Sequence, residues 1–206
     1  MKIDKTCKIC RRLGTKLFLK GEKCLSSKCP FARRSYPPGQ HGQKPVRLSE
    51  FGTQLKEKQR AQVIFGISEN QLRNYLKKAS KKKGMTDKVF LQLLEMRLDN
   101  VVFRLGFADS RRQARVFIKD GHILINDSRV TTPAYLVKIK DKISIAGKSQ
   151  KKLPFSEKKE YLKKFKTPTW LKLDKEKFSG EILQIPEKKD MDTLFDEQKV
   201  LEYYSR

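Results

Sequence analysis

The stretch from Glu95 to Ile145 constrains the fold of this 206-residue chain more than any other feature, above all between Asp109 and Ile125. Asp109 and Ser110 offer oxygens that can cap a helix, and residues 111–119 contain no helix breaker. Gly121 then supplies the residue type that most often ends a helix. The pattern predicts a short helix that stops sharply.

Two faces of this predicted helix differ in chemistry, at about 100° per residue. Its cationic positions are Arg111, Arg112, Arg115 and Lys119. Ala114, Phe117 and Ile118 fall on another face. We therefore expect the apolar face to pack against a core and the cationic face to meet an anion.

A hairpin is predicted to follow this helix, because the hydrophobic period changes after Gly121. Residues 122–125 favour a strand, and the Asn-Asp-Ser at 126–128 favours a turn. Further strand candidates are 135–137 and 143–145, with charged residues between them that suit an exposed edge. This part of the chain is expected to fold as helices on a short mixed sheet.

Three helices are predicted ahead of that stretch. Ser49 and Ser68 are suitable N-caps for the first two, and residues 65–67 form the break between them. The third is predicted to run unbroken from Thr86 to Gly106, because apolar residues recur at helical spacing throughout.

The C-terminal region carries weaker signals. Residues 147–169 are lysine-rich and interrupted by prolines, so they are predicted to be partly irregular. Trp170 is interpreted as an anchor, residues 182–186 as a short strand, and Asp190 as the start of a last helix.

Four cysteines lie close to the N-terminus, at Cys7, Cys10, Cys24 and Cys29. Two close pairs separated by a loop can bring four thiolates around one metal ion, and zinc is expected first. An iron–sulfur cluster also uses four thiolates, so the ligands alone do not decide between the two. Disulfides are disfavoured, because the N-terminus lacks the apolar core of a signal peptide and a reducing cytoplasm opposes them.

The charge of the chain points to a polyanion. Lysine and arginine number 48 against 23 acidic residues, which gives a formal net charge of +25. Nucleic acid is preferred over a membrane, because no apolar run approaches the ~18 residues that span a bilayer. Residues 1–48 hold 13 Lys or Arg against 2 acids, whereas residues 149–206 hold 14 against 11. The C-terminal region is therefore expected to contact protein more than RNA.

An unusual segment at residues 31–42 follows the cysteines. It combines an arginine pair, aromatic residues, a histidine and a Pro-Pro-Gly turn. Because the prolines fix φ and the glycines release it, the segment is predicted to be extended and not helical. We interpret it as an arm that lies on RNA, in preference to a solvated linker.

Several motifs in the middle of the chain resemble one small RNA-binding domain. They are Arg97-Leu98-Asp99-Asn100, Arg104-Leu105-Gly106-Phe107, Ser110-Arg111-Arg112-Gln113-Ala114-Arg115, and Gly121-His122-Ile123 through Asn126. The domain is named after the bacterial small-subunit ribosomal protein S-four, and it also occurs in pseudouridine synthases and some tRNA synthetases. The resemblance implies an RNA partner without singling out one protein.

The resemblance extends over the whole chain. The cysteine spacing, together with Tyr-Pro-Pro-Gly-Gln-His-Gly at 36–42, is similar to the N-terminal region of the S-four family itself, in its cysteine-containing form. Pro168-x-Trp170-Leu171 and the closing Tyr203-Tyr204-Ser205-Arg206 also match that family. The chain is thus identified as a member of the family of bacterial small-subunit ribosomal proteins.

This resemblance implies an α+β fold with a mainly helical lobe and an inserted module. Residues 1–48 would form a metal knuckle and a basic extended arm, 49–94 a helical lobe completed by 170–206, and 95–169 the RNA-binding module. The implied function is that of a structural protein, not an enzyme.

The implied partners follow from the same family. They are 16S rRNA, neighbouring small-subunit proteins including S-five, and messenger RNA where it enters the subunit. The implied roles are to nucleate assembly of the subunit body and to influence translational accuracy. No membrane and no small-molecule substrate is implied, and the location is the cytoplasm, in the small ribosomal subunit.

The candidate RNA-contacting residues are basic, polar or aromatic side chains within these segments. They are Arg11, Arg12, Lys20, Lys23, Arg33, Arg34, Tyr36, Gln40, His41, Arg47, Lys56, Lys58, Arg60, Arg73, Lys81, Lys82, Lys83, Arg97, Ser110, Arg111, Arg112, Gln113, Arg115 and Lys119. The candidate metal ligands are the four cysteines.

Two other functions compete with this one. The run Arg97-Leu98-Asp99 resembles the catalytic aspartate motif of one pseudouridine synthase family, but the remaining chain is too short and too basic for a separate catalytic domain. A zinc finger that reads duplex DNA is disfavoured because a glycine breaks the loop after Cys10, which leaves no obvious recognition helix.

Overall fold

A computed structural model of the chain describes residues 6–44, 47–150, 153, 155–191 and 194–205. The chain forms two compact units, Met1–Lys77 with Thr193–Arg206, and Lys78–Asp192. The N-terminal and C-terminal segments therefore share the first unit. Within the described ranges, no helix is long and apolar enough to cross a membrane.

The helices and strands have the following bounds. The helices are α1 (Thr6–Leu13), α2 (Glu22–Leu25), α3 (Pro30–Arg33), α4 (Glu50–Phe65), α5 (Glu69–Ser80), α6 (Thr86–Glu95), α7 (Leu98–Arg104), α8 (Arg111–Lys119), α9 (Gly147–Gln150), α10 (Lys158–Lys164) and α11 (Glu197–Ser205). The strands are β1 (Ile123–Ile125), β2 (Ser128–Arg129), β3 (Lys142–Ile145), β4 (Leu171–Asp174) and β5 (Ser179–Ile182). A 3-10 helix covers Lys188–Asp190.

The predicted helix starts are confirmed by their caps. The hydroxyl oxygens of Ser49, Ser68 and Ser110 each accept a hydrogen bond from the N–H three residues later, at 3.2, 3.3 and 3.2 Å. Each bond satisfies one of the N–H groups that a helix start leaves without an intrahelical partner. These caps fix where α4, α5 and α8 begin.

In the first unit, α11 packs along α4. Phe65 and Phe195 meet edge to face with ring centroids 6.2 Å apart, and the rings of Phe51 and Tyr203 lie 5.5 Å apart. Aromatic pairs at these distances add to the free energy gained by burying apolar area. The C-terminal helix therefore completes the first unit.

The second unit holds a five-stranded sheet of order β2-β1-β3-β5-β4, and every neighbouring pair is antiparallel. The predicted hairpin is confirmed as β1 and β2. Asn126 and Asp127 between them both have positive φ, of 48° and 64°, as a type I′ turn requires. The expectation of a mixed sheet is wrong, because β4 and β5 form a second antiparallel pair that joins the edge of β3.

The helix predicted to run unbroken from Thr86 is interrupted at Met96 and Arg97. The segment 133–137 pairs with this break instead of forming the strand predicted there, and the Val137 N–H donates to the Met96 carbonyl at 3.0 Å. Apolar residues keep their helical spacing across the break, so periodicity alone could not reveal it.

Two other predicted elements also differ from the structure. Residues 30–33 form α3, which overlaps the start of the segment 31–42 expected to be extended. Pro30 occupies the first helical turn, where a missing N–H costs nothing. The last helix begins at Glu197, and the residues near Asp190 form only the 3-10 helix. The strand predicted at 182–186 lies earlier, as β5.

The two compact units divide the chain at residues 77 and 192, whereas the sequence-based domains end at 48, 94 and 169. The difference at the C-terminal boundary has a simple cause. Because β5 pairs with β3, residues 171–182 belong to the sheet of the second unit.

The core of the second unit gathers α7, α8 and the inner face of the sheet. Trp170, the one tryptophan of the chain, is fully buried in it, as expected for an anchor. Ala114, Phe117 and Ile118, the apolar positions predicted for α8, are all buried in the same cluster. The packed face of α8 is therefore confirmed.

Candidate nucleic-acid interface

The stretch around α8 is built as a rigid turn, helix and turn. The Gln113 side-chain oxygen accepts a hydrogen bond from the Asp109 N–H at 2.7 Å, while the Ser110 hydroxyl caps the Gln113 N–H, so the helix start is held from both sides. At its other end Gly121 adopts φ 73°, and a Cβ there would lie 2.9 Å from the Arg129 side chain. The positive φ favours glycine here, because most other residues would be strained in this conformation.

Behind the cationic residues of α8 lies a buried carboxylate, Asp99. Its two oxygens accept hydrogen bonds from Arg97, at 3.0 Å from Nε and 2.7 Å from Nη2. Arg115 Nε donates to the same carboxylate at 2.7 Å. The side chains of Arg97 and Asp99 are each 2% exposed. Two guanidinium groups therefore satisfy one buried acid.

A second buried acid, Glu95, is held beside it. Arg104 donates to both oxygens of Glu95 at 3.1 Å, and Asn100 Nδ2 donates to one of them at 2.6 Å. The Asn100 side-chain oxygen in turn accepts a hydrogen bond from Arg111 Nε at 2.7 Å. The guanidinium of Arg111 also lies 4.7 Å from the ring centroid of Phe103.

The burial of Arg111 has an electrostatic consequence. Desolvation lowers the pKa of Arg111 to about 10, although the charges of Glu95 and Asp99 act in the opposite direction. The group therefore stays protonated at neutral pH, hydrogen-bonded to Asn100 and close to the charges of Glu95 and Asp99.

We refer to these residues as the α7–α8 ion network, a set defined by its hydrogen bonds. Its members are Glu95, Arg97, Asp99, Asn100, Arg104, Arg111 and Arg115. Four arginines face two carboxylates, so the network keeps two positive charges in excess. It fixes the position of α8 on α7 and gives this face a built-in attraction for an anion.

The network changes how the predicted cationic arc is understood. Arg111 donates a hydrogen bond to Asn100, and Arg115 donates one to Asp99. Arg97 is buried. Each of these arginines therefore has a structural role, whatever else it contacts. Arg112 is half-buried and Lys119 is exposed. RNA contact by these residues stays a prediction.

In the first unit, Arg60 also makes structural contacts within the protein. It forms an ion pair with Glu57 and donates from Nη2 to the Leu13 carbonyl at 2.8 Å, at the end of α1. The second oxygen of Glu57 accepts the Asp196 N–H at 3.0 Å, just before α11. Glu57 therefore ties the cysteine region, α4 and the C-terminal helix together.

Replacing Glu57 with Ala is expected to destabilise the first unit by about 1–3 kcal/mol, because two partly buried donors, on Arg60 and Asp196, lose their acceptor. Hydrogen exchange at the Asp196 amide should accelerate in the variant. Lys199→Gln serves as the control, since its ion pair with Asp196 is exposed. Equal exchange in Glu57→Ala and wild type would show that Glu57 does not hold the C-terminal helix.

Lys58 and Glu69 form another contact of the same unit. Lys58 is buried, donates to Glu69 at 2.9 Å, and lies 4.6 Å from the ring centroid of Tyr203. Burial alone would raise the pKa of Glu69, but hydrogen bonds from Tyr204, Lys58 and Gln62 outweigh it and lower that pKa. Burial, together with Glu69, raises the pKa of the Tyr204 hydroxyl. Lys58 is thus a packing residue as well as an RNA candidate.

Most of the remaining candidate residues lie at the surface. Those classed as exposed are Arg12, Lys23, Arg33, Arg34, Gln40, His41, Arg47, Arg73, Lys81, Lys82 and Lys83, while Lys20 and Lys56 are half-buried. Arg11 is half-buried and donates to the Tyr36 carbonyl at 3.0 Å, with its guanidinium 5.1 Å from the Tyr36 ring centroid. The arm is therefore fastened to α1 through Arg11.

The four cysteines share one small region of the first unit. Cys10, Cys24 and Cys29 are buried, Cys7 is half-buried, and all four are free thiols. Desolvation raises the pKa of Cys10, and the charges of the other three thiols act in the same direction, so the four sulfur atoms lie within electrostatic reach. Even so, the described residues contain no group of three or more His, Cys, Asp or Glu placed to hold a metal ion.

Sequence reasoning missed the partners of the arginines. Glu95, Asn100 and Arg104 were not predicted to have any role, although polar residues inside an apolar helical stripe are a recognisable signal. Each must find a partner when it is buried. That signal could have predicted a buried network, although not which arginines complete it.

Comparison with known proteins gives one consistent result. Family models described as Ribosomal protein S4/S9 N-terminal domain and S4 domain match residues 2–95 and 96–143. The chain is 51% identical over 205 residues to the small ribosomal subunit protein uS4 of Thermus thermophilus. The aligned region covers 99% of this chain and 98% of that protein. The proteins of the same name from Acetivibrio thermocellus and Dictyoglomus turgidum are 47% and 48% identical, over 98% and 97% of this chain and 97% and 96% of theirs. All three are named as ribosomal proteins, and none is named as an enzyme.

Proposed function

Because this chain belongs to the uS4 family of small ribosomal subunit proteins, we propose that it is a structural protein of the small subunit that binds 16S rRNA. The observation that carries the proposal is the match to ribosomal relatives over almost the whole chain. The formal net charge of +25 supports it, since a compact protein with this surplus needs a polyanion.

The positions of the basic residues suggest how RNA would be held. Exposed cations such as Lys81, Lys82 and Lys83 follow α5 directly, and in the proposed complex they would contact phosphate. The α7–α8 ion network would present α8 as a rigid element with excess positive charge. Phosphate contacts of this kind would position the protein, and unpaired bases in the rRNA would supply specificity.

We also propose the finer roles that the resemblance implies. The protein would bind the rRNA early, nucleate assembly of the subunit body in the cytoplasm, and contact the S-five protein near the entering messenger RNA, where the two influence accuracy. The nearly balanced charge of residues 149–206 suits protein contact. No catalytic role is proposed for Asp99, whose carboxylate is buried between Arg97 and Arg115.

A binding comparison tests the main proposal. Affinities for the five-prime domain of 16S rRNA and for random duplex DNA of equal length are measured at equal salt. A structural rRNA-binding protein should prefer the rRNA by about 1,000-fold or more, the usual margin of specific over non-specific nucleic-acid binding. Equal affinity for both would show only the non-specific attraction of a basic protein.

We propose further that Cys7, Cys10, Cys24 and Cys29 bind one zinc ion. The donor set supports the idea, because three of the thiols are buried and the Lys20 N–H already donates to the Cys24 sulfur at 3.4 Å. Zinc would draw the four sulfur atoms into tetrahedral contact, and the binding free energy would stabilise the local fold. An iron–sulfur cluster is the alternative that metal analysis would identify.

Replacing Cys24 with Ser is expected to loosen the cysteine region without unfolding the second unit, because metal binding stabilises the fold locally. Limited proteolysis should cut first between Lys20 and Lys28 in the variant, and the same cuts should appear in wild type treated with a chelator. Metal analysis should find one zinc per wild-type chain. Equal resistance of variant and wild type, with no metal in either, would contradict the proposal.

A further inference from the structure

One aromatic residue in the cysteine region is held in an unusual conformation. Phe18 has φ 50°, in the left-handed region, and its side chain is 40% exposed. A bulky residue with positive φ is uncommon, since its Cβ crowds the backbone. Glycine or asparagine would suit such a position better in an ordinary surface loop. Backbone strain at an exposed aromatic residue indicates that the residue contacts a binding partner.

The loop around Phe18 is anchored on both sides. Leu17, immediately before it, is buried at 2% exposure. Two residues after Phe18, the Lys20 N–H donates to the Cys24 sulfur at 3.4 Å. Because Leu17 packs inward and the Lys20 N–H bonds to a thiol, the backbone presents the Phe18 ring outward from an anchored loop.

One cation contacts this ring, and two others lie near it in the sequence. The ammonium of Lys16 lies 5.3 Å from the centroid of the Phe18 ring, within the range of a cation–π contact. Lys20 is half-buried nearby in sequence, and Arg12 on α1 is exposed. An exposed ring with lysines on both sides in the chain suits a nucleobase, which offers a π face next to a phosphate. An acidic protein surface would use the lysines but would gain little from the ring.

We propose that Phe18 stacks on an unpaired base of the rRNA, with Lys16 and Lys20 neutralising the phosphates beside it. The proposal rests on the proposed function and adds a specific, non-ionic contact to it. The anchored loop is preorganised for this contact, so little conformational entropy is lost when the base binds.

The variant Phe18→Gly removes the aromatic ring without disturbing the backbone conformation. Glycine adopts φ 50° without strain, so the variant should fold as wild type does. Its affinity for the five-prime domain of 16S rRNA should fall by about 5- to 150-fold, the size of one lost base–aromatic stack. The slope of log affinity against log salt should not change, because no charge is removed. Phe18→Tyr should bind as wild type, since the ring is kept.

Leu25→Ala is the matched control. Leu25 lies on α2 in the same region and is 74% exposed, but it is not an aromatic residue. Its replacement should leave affinity unchanged. A loss in Leu25→Ala as large as that in Phe18→Gly would show general loosening of the region and would overturn the proposal.

Phe18→Trp adds a direct signal. Trp170 is fully buried, so wild-type fluorescence measured with RNA gives the background. Stacking should quench the fluorescence of the new indole when 16S rRNA is added. The Kd obtained from the quenching curve should equal the Kd of RNA binding. Unquenched fluorescence in a bound complex, or wild-type affinity in Phe18→Gly, would overturn the stacking contact and leave the rRNA proposal standing. If wild type does not prefer 16S rRNA at all, the proposed function fails first and this inference fails with it.

Discussion

Replacing Asp99 with Asn is expected to destabilise the second unit by about 3–5 kcal/mol, the usual cost of removing one partner from a buried ion pair. Arg97 would keep its charge at 2% exposure after losing the Asp99 carboxylate, and Arg115 would lose the same partner. Urea unfolding followed by Trp170 fluorescence measures the effect, because this single tryptophan lies in the core of that unit. Urea is preferred since it leaves ionic interactions unscreened.

Two variants bracket this prediction. Glu187→Gln removes a carboxylate that pairs with an exposed lysine, so no measurable loss is expected. The double change Arg97→Met with Asp99→Leu removes both charges of the pair, and should cost clearly less than Asp99→Asn alone. A loss below about 1 kcal/mol in Asp99→Asn would show that the network does not hold α8 on α7.

Neutralising Lys81, Lys82 and Lys83 together with Gln is expected to weaken rRNA binding by about 100-fold or more at ~0.1 M salt. These side chains are exposed, so their removal should not unfold the chain. If all three touch phosphate, the slope of log affinity against log salt should flatten by about 2 to 3 units, and the loss should be similar for different RNA sequences. Affinities measured over a salt series give both quantities.

A second lysine triple separates local contact from net charge. Lys166, Lys172 and Lys177 are also exposed, and their change to Gln removes the same formal charge from the nearly balanced C-terminal region. This control should flatten the slope by less than one unit. An equal effect of the two triples would mean that the lysines after α5 contribute only general charge.

The arginines of α8 would be a poorer choice for such a test, and the reason shows where sequence reasoning stops. Periodicity correctly predicted the α8 helix, its cap at Ser110, its end at Gly121 and its packed face, since all of these depend on residues within a few positions. It could not show that Arg111 and Arg115 turn towards Asn100 and Asp99, because those contacts join two helices. Changing them to Gln would alter stability together with charge.

The break at Met96 and Arg97 has the same kind of cause. Every residue there is compatible with a continuous helix, and the interruption arises because the segment 133–137 supplies backbone partners from far along the chain. The side-chain Nδ2 of Asn100 also donates to the Glu95 backbone carbonyl at 2.9 Å, at the end of α6. Competition between local propensity and tertiary hydrogen bonding cannot be read from spacing.

For the candidate site, the sequence predicted the chemistry better than the geometry. Exposed cations at Lys81 to Lys83 and in the arm lie where a basic surface was expected, whereas Lys58, Arg60 and Arg97 are used partly or wholly in the interior. A lysine or arginine count cannot distinguish the two uses, since both need the same side chain. The structural contacts of these three residues depend on where the fold places their acidic partners, which the sequence alone does not show.

Hydroxyl-radical footprinting of the wild-type chain on naked 16S rRNA shows whether the chain binds one defined rRNA site. We expect a compact set of protected nucleotides in the five-prime domain, near a junction of several helices. The protection should saturate at one protein per RNA, at a salt concentration that abolishes binding to random duplex DNA. Protection spread evenly along the RNA, or none at that salt, would contradict the claim that this chain is a specific rRNA-binding protein of the small subunit.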